Sequence, residues 1–239
     1  RAYESYMEEF EPGEMVRIPL DAVILMLKQM LQEEVKPILM NCIEPPRMET
    51  IERSFQSLFR WNFINEPDDS AAITTLGAFV SSLGIDLSLG SLIGLGIQFG
   101  VAPEVIEMAS IMSFPKTPFQ ITSPLYHDPA IYNEITSKTY ISKCHFDANL
   151  YSDPLALMNA LWDYRTVSNK ARFCLFYRIA LSRMKQLAAT CNSLRTRVAE
   201  FLGIPETKLH MESPPAHMPH SKITILRILQ VWVFSETIV

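Results

Sequence analysis

The sequence predicts a mainly α-helical protein with one short β-hairpin. Three observations carry this reading: apolar residues recur at three- and four-residue steps along most of the chain, strict alternation is scarce, and prolines, glycines and capping residues punctuate the periodic stretches at helix-length intervals. With 239 residues, 48% hydrophobic and 20% charged, the chain has globular composition and enough length for one compact body with sub-domains.

The elements follow in order. Leu20, Val23, Ile24, Leu27 and Leu31 after Pro19 predict an amphipathic helix over 20–31. Pro45-Pro46 breaks the chain, and Ile51, Phe55, Leu58 and Phe59 put a second helix between Arg47 and Trp61. Glu66-Pro67-Asp68-Asp69-Ser70, flanked by Phe63-Ile64 and Ala72-Ile73, reads as a small hairpin. Another helix opens at Thr74-Thr75 and stops at Gly84. Helix, helix, hairpin, helix is the order a winged-helix unit needs. Beyond it, helices are expected over Asp86–Phe99, Pro103–Met112, Asp128–Tyr140, Pro154–Tyr164 and, as a long pair, Asn169–Leu202; Ser152 is the expected cap before Pro154. Glu212–His220 is proline-rich and reads as a linker, and Ile223–Phe234 is apolar enough to need a packing partner.

Several kinds of chemistry are excluded. No phosphate-binding loop, nucleophile elbow or H-E-x-x-H pair occurs, so no catalytic residue is assigned. Gly94-Leu95-Gly96 with Gly100 imitates a dinucleotide fingerprint but lacks the preceding strand and the third spacing, so close helix packing explains it better. The stretch Leu87–Pro103 is uncharged but contains four glycines and falls short of the ~20 strongly apolar residues of a membrane span. His210, His217 and His220 lie in the proline-rich tail without fixed geometry, and the four cysteines form no CxxC pair, so no metal site or cofactor is assigned and the thiols are expected to be reduced. Asp68-Asp69 and Glu33-Glu34 read as solvated turn and surface acids.

Charge is unevenly distributed. Residues 1–110 hold 7 basic and 17 acidic side chains, and residues 111–239 hold 14 and 9. Arg165, Lys170, Arg172, Arg178, Arg183, Lys185, Arg195 and Arg197 follow one another with no acid between Asp163 and Glu200. Such a block repels itself unless a polyanion or distant acids neutralise it, so nucleic-acid backbone, a solvated helix face and pairing with the acidic half are the readings it allows. Arg178 and Lys185, seven residues apart, would share one stripe of a continuous helix. Phe173, Phe176 and Tyr177 interleave with these cations, and at least two of the three are expected in the core. Duplex-DNA binding by the helix Arg47–Arg60 is disfavoured, because Arg47, Arg53 and Arg60 are offset by Glu49 and Glu52.

The wording of these segments resembles the C-terminal accessory region of DEAH/DExH-box RNA helicases. Glu14-Met15-Val16-Arg17-Ile18-Pro19-Leu20 is similar to the family's P-E-I-x-R-x-x-L, and Val23–Lys28 to its L-x-L-K helix. Pro45-Pro46 with Ile51-Glu52-Arg53-Ser54, then Trp61–Ile64 and Ile73-Thr74-Thr75-Leu76-Gly77, match further pieces in order. The likeness continues through Ile85–Leu89, Val105–Ile111 and Ser152-Asp153-Pro154-Leu155-Ala156-Leu157-Met158-Asn159-Ala160, covering roughly residues 14–202. Pro154 replaces a usual histidine, Asn62-Phe63 replaces a small Gly-Ala pair, and Leu194–Val198 is a loose version of R-x-Q-L.

The resemblance implies a plan and a role. Residues 1–18 would end the second motor domain or form a linker, 19–84 the winged helix, 85–210 a helical ratchet bundle, and 211–239 a linker and the start of a further, OB-like domain. ATP and Mg would belong to motor domains of the same chain, which lie outside this sequence. The chain would guide single-stranded RNA as an intracellular protein of nucleus or cytoplasm, with protein regulators and no membrane. Lys170, Arg172, Arg178, Arg183, Lys185, Arg195 and Arg197 are the candidate RNA-binding residues. A helicase-derived protein-docking scaffold without RNA contact is the alternative.

Overall fold

The structure, a computed structural model, is mainly helical and describes residues 13–31, 33–121 and 128–235. Residues 1–12, from the expected motor-domain end, and 236–239, from the expected last domain, lie outside the described residues. The chain divides into two units, Arg1–Leu87 and Ser88–Val239.

In the first unit, α1 (Glu14–Arg17) leads into α2 (Asp21–Leu31), a short α3 (Lys36–Met40), α4 (Met48–Arg60) and α5 (Thr75–Leu83). Helix α2 packs against α4 and α5. Leu20 just before it and Ile24 and Leu25 within it are buried, as are Ile51, Phe55 and Leu58 of α4 and Phe79, Val80 and Leu83 of α5, whereas Leu31 and Phe59 are exposed. The expected hairpin is reduced to one antiparallel bridge, Ile64 with Ile73; no strand occurs among the described residues. Side chains explain the reduction. Asn65 Oδ1 accepts from Ala72 N at 2.7 Å, and Asp69 faces away to accept from Val35 N and Lys36 N at 2.8 Å each, so the turn is tied to α3 instead of extending a ladder. Asp69 is therefore not the solvated turn acid expected of it. Its main-chain carbonyl and that of Ala71 accept from the buried Lys28 ammonium at 2.7 and 3.0 Å.

Gly77 has a separate reason. Thr74 caps α5 by accepting from Gly77 N at 3.0 Å, and a Cβ on Gly77 would lie 2.2 Å from the Phe63 carbonyl oxygen. The backbone approach that closes the 63–74 bridge leaves no room for a side chain.

The second unit is built around α7 (Ala102–Met112), buried at every position from Glu104 to Ile111. Preceding it is α6 (Leu87–Gln98); a Cβ on Gly96 would lie 2.7 Å from Val105 of α7, so the glycine-rich stretch serves close helix packing. Helices α8 (Pro129–Asp147), α9 (Asp153–Thr166), α10 (Lys170–Phe176), α11 (Leu181–Leu202) and α12 (His220–Phe234) complete it. Helix α7 packs on α9 and α11, and α9 on α8 and α10. Ser152 stands at the N-cap of α9 but makes no side-chain cap; its amide instead donates to Asp147 Oδ1 at 3.0 Å.

Residues 211–235 differ from the expected linker and new domain. A 3-10 turn at Pro215–His217 is held by Ala216 N donating to Asn159 Oδ1 at 3.0 Å, and α12 buries Ile223, Leu226, Leu229 and Val233. Part-buried polar contacts, added to apolar ones, make this segment part of the second unit.

Candidate nucleic-acid interface

The basic run does not form one face. Helix α10 ends at Phe176, and Arg178 takes a positive φ of 53° before α11 begins at Leu181. The interruption is tertiary: Phe119 and Ile179 form an antiparallel bridge, with Gln120 N donating to Arg178 O at 2.9 Å and Ala180 N to Pro118 O at 2.8 Å. Arg178 and Lys185 therefore sit in different elements, and no helical stripe joins them.

The seven candidates separate accordingly. Arg172 and Arg178 line one groove of about 840 Å³ between α8 and α10. Lys170 Nζ lies 5.2 Å above the Tyr164 ring, a cation–π contact at the start of α10. Arg183 donates to Thr117 O at 3.1 Å, and Lys185 and Arg197 are exposed on α11. Arg195 is 3% exposed and turned into the bundle, which corrects its assignment to an RNA surface.

Its destination is Glu107, a fully buried acid on α7. Arg165 Nη1 donates to both carboxylate oxygens of Glu107 at 2.8 Å, and Arg195 Nη2 to Oε2 at 3.4 Å. Arg195 also donates to Leu209 O and Asn192 Oδ1 at 3.0 Å each. One turn earlier, buried Glu104 accepts from Lys222 of α12 at 2.6 Å. The ion cluster thus ties α9, α11 and α12 to the central helix. Burial, reinforced by the Glu107 charge, pushes the neighbouring Cys191 thiol up to about 12, so this thiol is inert at neutral pH. Cys174 is likewise buried, Cys42 is partly buried and Cys144 is exposed; all are free.

His210 senses the same cluster. Partial burial first, then the Arg195 and Arg165 charges, hold its pKa below 6.5, while Glu206 and Glu107 oppose them. The unfolded chain then binds a proton that the folded chain resists, so stability is present above about 6.5 and falls as pH drops through that value toward the folded pKa. A thermal melt series from neutral to mildly acidic pH should show a steeper loss of Tm for the natural chain than for His210→Asn. Equal slopes would remove His210 from the effect.

The groove owes its other wall to α8, which contributes Lys138, Ile141, Ser142 and His145; α10 and the turn after it contribute Leu175, Phe176 and Tyr177 beside the arginines. Phe173 is buried against Phe146 and Tyr164. Phe176 is 74% exposed, and Tyr177 is half-buried, stacked on His145 at 5.2 Å and 17°. Of the three aromatics, then, one is core; the early end of α10 releases the other two. Tyr177 also packs on Phe146 at 4.7 Å and Phe173 at 4.9 Å, and Phe176 stands edge-on to it at 4.9 Å, so the exposed ring is mounted on a fixed aromatic stack. Leu175 and Ile141 extend the apolar floor into solvent.

Glu134 sits at the rim, 2.6 Å from Lys138 and 3.3 Å from Arg178. The hydrogen bond from Lys138, and then the two positive charges, lower its carboxyl pKa. The arrangement offers flat apolar rings for stacking and cations around them. Lys138 and His145 were missed in the sequence because they stand outside the basic run; their spacing with Ile141 and Ser142 on one side of a helix was the available signal.

Among the described residues no group of three or more His, Cys, Asp or Glu could hold a metal ion, and no helix is long and apolar enough to cross a membrane.

No family model matches the chain. It is 28% identical over 174 residues to a Mycosarcoma maydis protein described as a DEAH-box ATP-dependent helicase, a match covering 70% of this chain and 10% of that one. It is 26% identical over 217 residues to the ATP-dependent RNA helicase TDRD9 of Danio rerio, covering 83% and 15%. With the chloroplastic DExH-box ATP-dependent RNA helicase DExH4 of Arabidopsis thaliana it shares 27% over 117 residues, covering 49% and 8%. The chain therefore spans only 8% to 15% of the length of these relatives. By these matches, which extend to 91% of the chain against human TDRD9, it is homologous to DEAH/DExH-box ATP-dependent RNA helicases and consistent with a C-terminal region of such a helicase.

Proposed function

We propose that this chain is the accessory, nucleic-acid-channel part of an ATP-dependent RNA helicase, and that it guides single-stranded RNA while motor domains of the same protein hydrolyse ATP with Mg. In this reading residues 19–84 are a winged-helix unit whose wing is the short 63–74 turn, and 85–210 a ratchet-like bundle extended by α12. The observation that carries the reading is the groove between α8 and α10. Sequence-tolerant single-strand binding combines cations that track phosphates with exposed aromatic faces that stack bases, and Arg172, Arg178 and Lys138 surround Phe176 there. Homology to helicases named for RNA supplies the class of ligand.

The test is a filter-binding titration of single-stranded RNA at several salt concentrations. Arg172→Glu with Arg178→Glu should weaken binding and flatten the dependence of log K on log salt by about two units, one for each phosphate that is no longer neutralised. Phe176→Ala should lower affinity by about 1–3 kcal/mol without changing that slope, since a base stack releases no counterion. If affinity and slope both survive the double charge reversal, the RNA reading falls, and the docking-scaffold reading takes its place.

A further inference from the structure

Of the three Lys and Arg side chains that line the α8–α10 groove, two already have an anionic partner. On α8, Glu134 and Lys138 stand one turn apart, acid before base, the favourable order for a helical pair, and Lys138 Nζ donates to Glu134 Oε1 at 2.6 Å. The same oxygen accepts from Arg178 Nη2 at 3.3 Å, a partner 44 residues away in sequence. Folding sets that reach. The Arg178 backbone is fixed at a φ of 53°, with its carbonyl accepting from Gln120 N at 2.9 Å, and from there its guanidinium meets α8. Arg172 differs: it is exposed, and among the described residues its guanidinium makes no ion pair or hydrogen bond.

A carboxylate oxygen shared by an ammonium and a guanidinium stands where a phosphate oxygen would. With the groove read as a single-strand RNA contact, on which this rests, we infer that Glu134 is a built-in competitor for the RNA backbone: it fills the phosphate position between Lys138 and Arg178 in the free groove and yields it when a strand binds. The pairs are weak enough to yield. Glu134 and Lys138 are each 53% exposed, and exposed ion pairs contribute little in water. A backbone phosphate offers both cations a charge-assisted acceptor of the same kind. The displaced carboxylate stays on α8, one turn from Lys138, and recaptures the cations as a phosphate leaves. Arg172 and the Phe176 ring give a strand its standing contacts, and the Lys138–Arg178 side releases it quickly, which suits a strand that has to move.

The whole 239-residue chain is titrated with a short fluorescent oligouridylate by anisotropy over a salt series, and dissociation is timed after excess unlabelled oligonucleotide is added. Glu134→Gln keeps an acceptor for the cations and removes the charge. It should bind several-fold more tightly at low salt, with most of the gain in slower dissociation. Its salt slope should steepen by about one unit, because the freed carboxylate of the natural chain takes up a cation that offsets one released by the RNA. Glu200→Gln makes the same change in net charge at an exposed position on α11 and should alter neither quantity. Equal gains from the two variants overturn the competitor. So does an unchanged or weakened Glu134→Gln protein when the natural chain binds and Arg172→Glu loses affinity; the groove then stands as an RNA contact without it. A natural chain that fails to bind, or binding untouched by Arg172→Glu, overturns the groove and the competitor together. Should Glu134→Gln melt early, Glu134→Ala at unchanged melting temperature decides by the same criteria.

Discussion

Replacing Glu107 by alanine is expected to destabilise the second unit by about 3–5 kcal/mol, the cost of stranding buried charge. Glu107 is fully buried, and both Arg165 and Arg195 direct guanidinium nitrogens at its carboxylate. Arg195, 3% exposed, cannot turn to water without leaving α11's packing, whereas Arg165 is partly exposed and can. The larger part of the loss therefore belongs to Arg195. Urea denaturation should show a lower midpoint, with amide exchange accelerated in α7, α9 and α11. Glu107→Leu combined with Arg195→Leu should recover much of the stability, since it leaves the smaller misfit of an apolar pair and only Arg165, which is partly exposed, without its carboxylate. A loss below about 1 kcal/mol for the single change would mean that the cluster is hydrated and contributes no more than a surface pair.

The second large effect lies in the first unit. Asp69→Ala removes the acceptor for Val35 N and Lys36 N and takes away the carboxylate 3.7 Å from the Lys28 ammonium. Two buried or half-buried amides and one buried cation lose charge compensation together, and about 3 kcal/mol of loss is expected, each amide accounting for about 1. Lys28 keeps its two carbonyl acceptors, and its ammonium still lies 5.5 Å from the Phe55 ring centroid, which bounds the damage. Asp69→Asn, which keeps one acceptor, should fall between. The measurement is the urea midpoint of the first unit followed by Trp61 fluorescence; coincident curves for Asp69→Ala and the natural chain would refute the account.

These residues also mark what could be read in advance. Helices α2, α4, α5 and α9 were legible because their apolar positions repeat with the helical period and their ends carry Pro19, Gly84 or Pro154. Helix α3 was not, since five residues are too few to display a period. A break within Asn169–Leu202 was expected, but its position left no trace: Tyr177-Arg178-Ile179-Ala180 contains neither glycine nor proline, and the helix stops because residues 118–120, about sixty positions earlier, pair with it. The candidate groove was half legible for the same reason. Arg172 and Arg178 belong to a run visible as one-sign charge, but the α8 wall is brought to them by folding. Arg195 misled because its partner, Glu107, lies 88 residues away. A charge run specifies how many cations a segment holds; only the placement of distant acids decides which of them face water.

The strap formed by residues 215–234 changes how the chain can be dissected. Sequence composition invites a cut near residue 210, where prolines begin. Such a truncation would uncover Glu104 by deleting Lys222, take the Ala216 amide from Asn159, and remove the Arg227 guanidinium from the Leu150 carbonyl. Two helices that look complete in isolation, α7 and α9, and the turn between α8 and α9 would lose their common clasp, and the shortened piece would report the behaviour of a damaged bundle. Recombinant fragments intended for binding work should therefore retain α12, and modular swaps between related helicases should exchange the bundle and its strap as a single cassette.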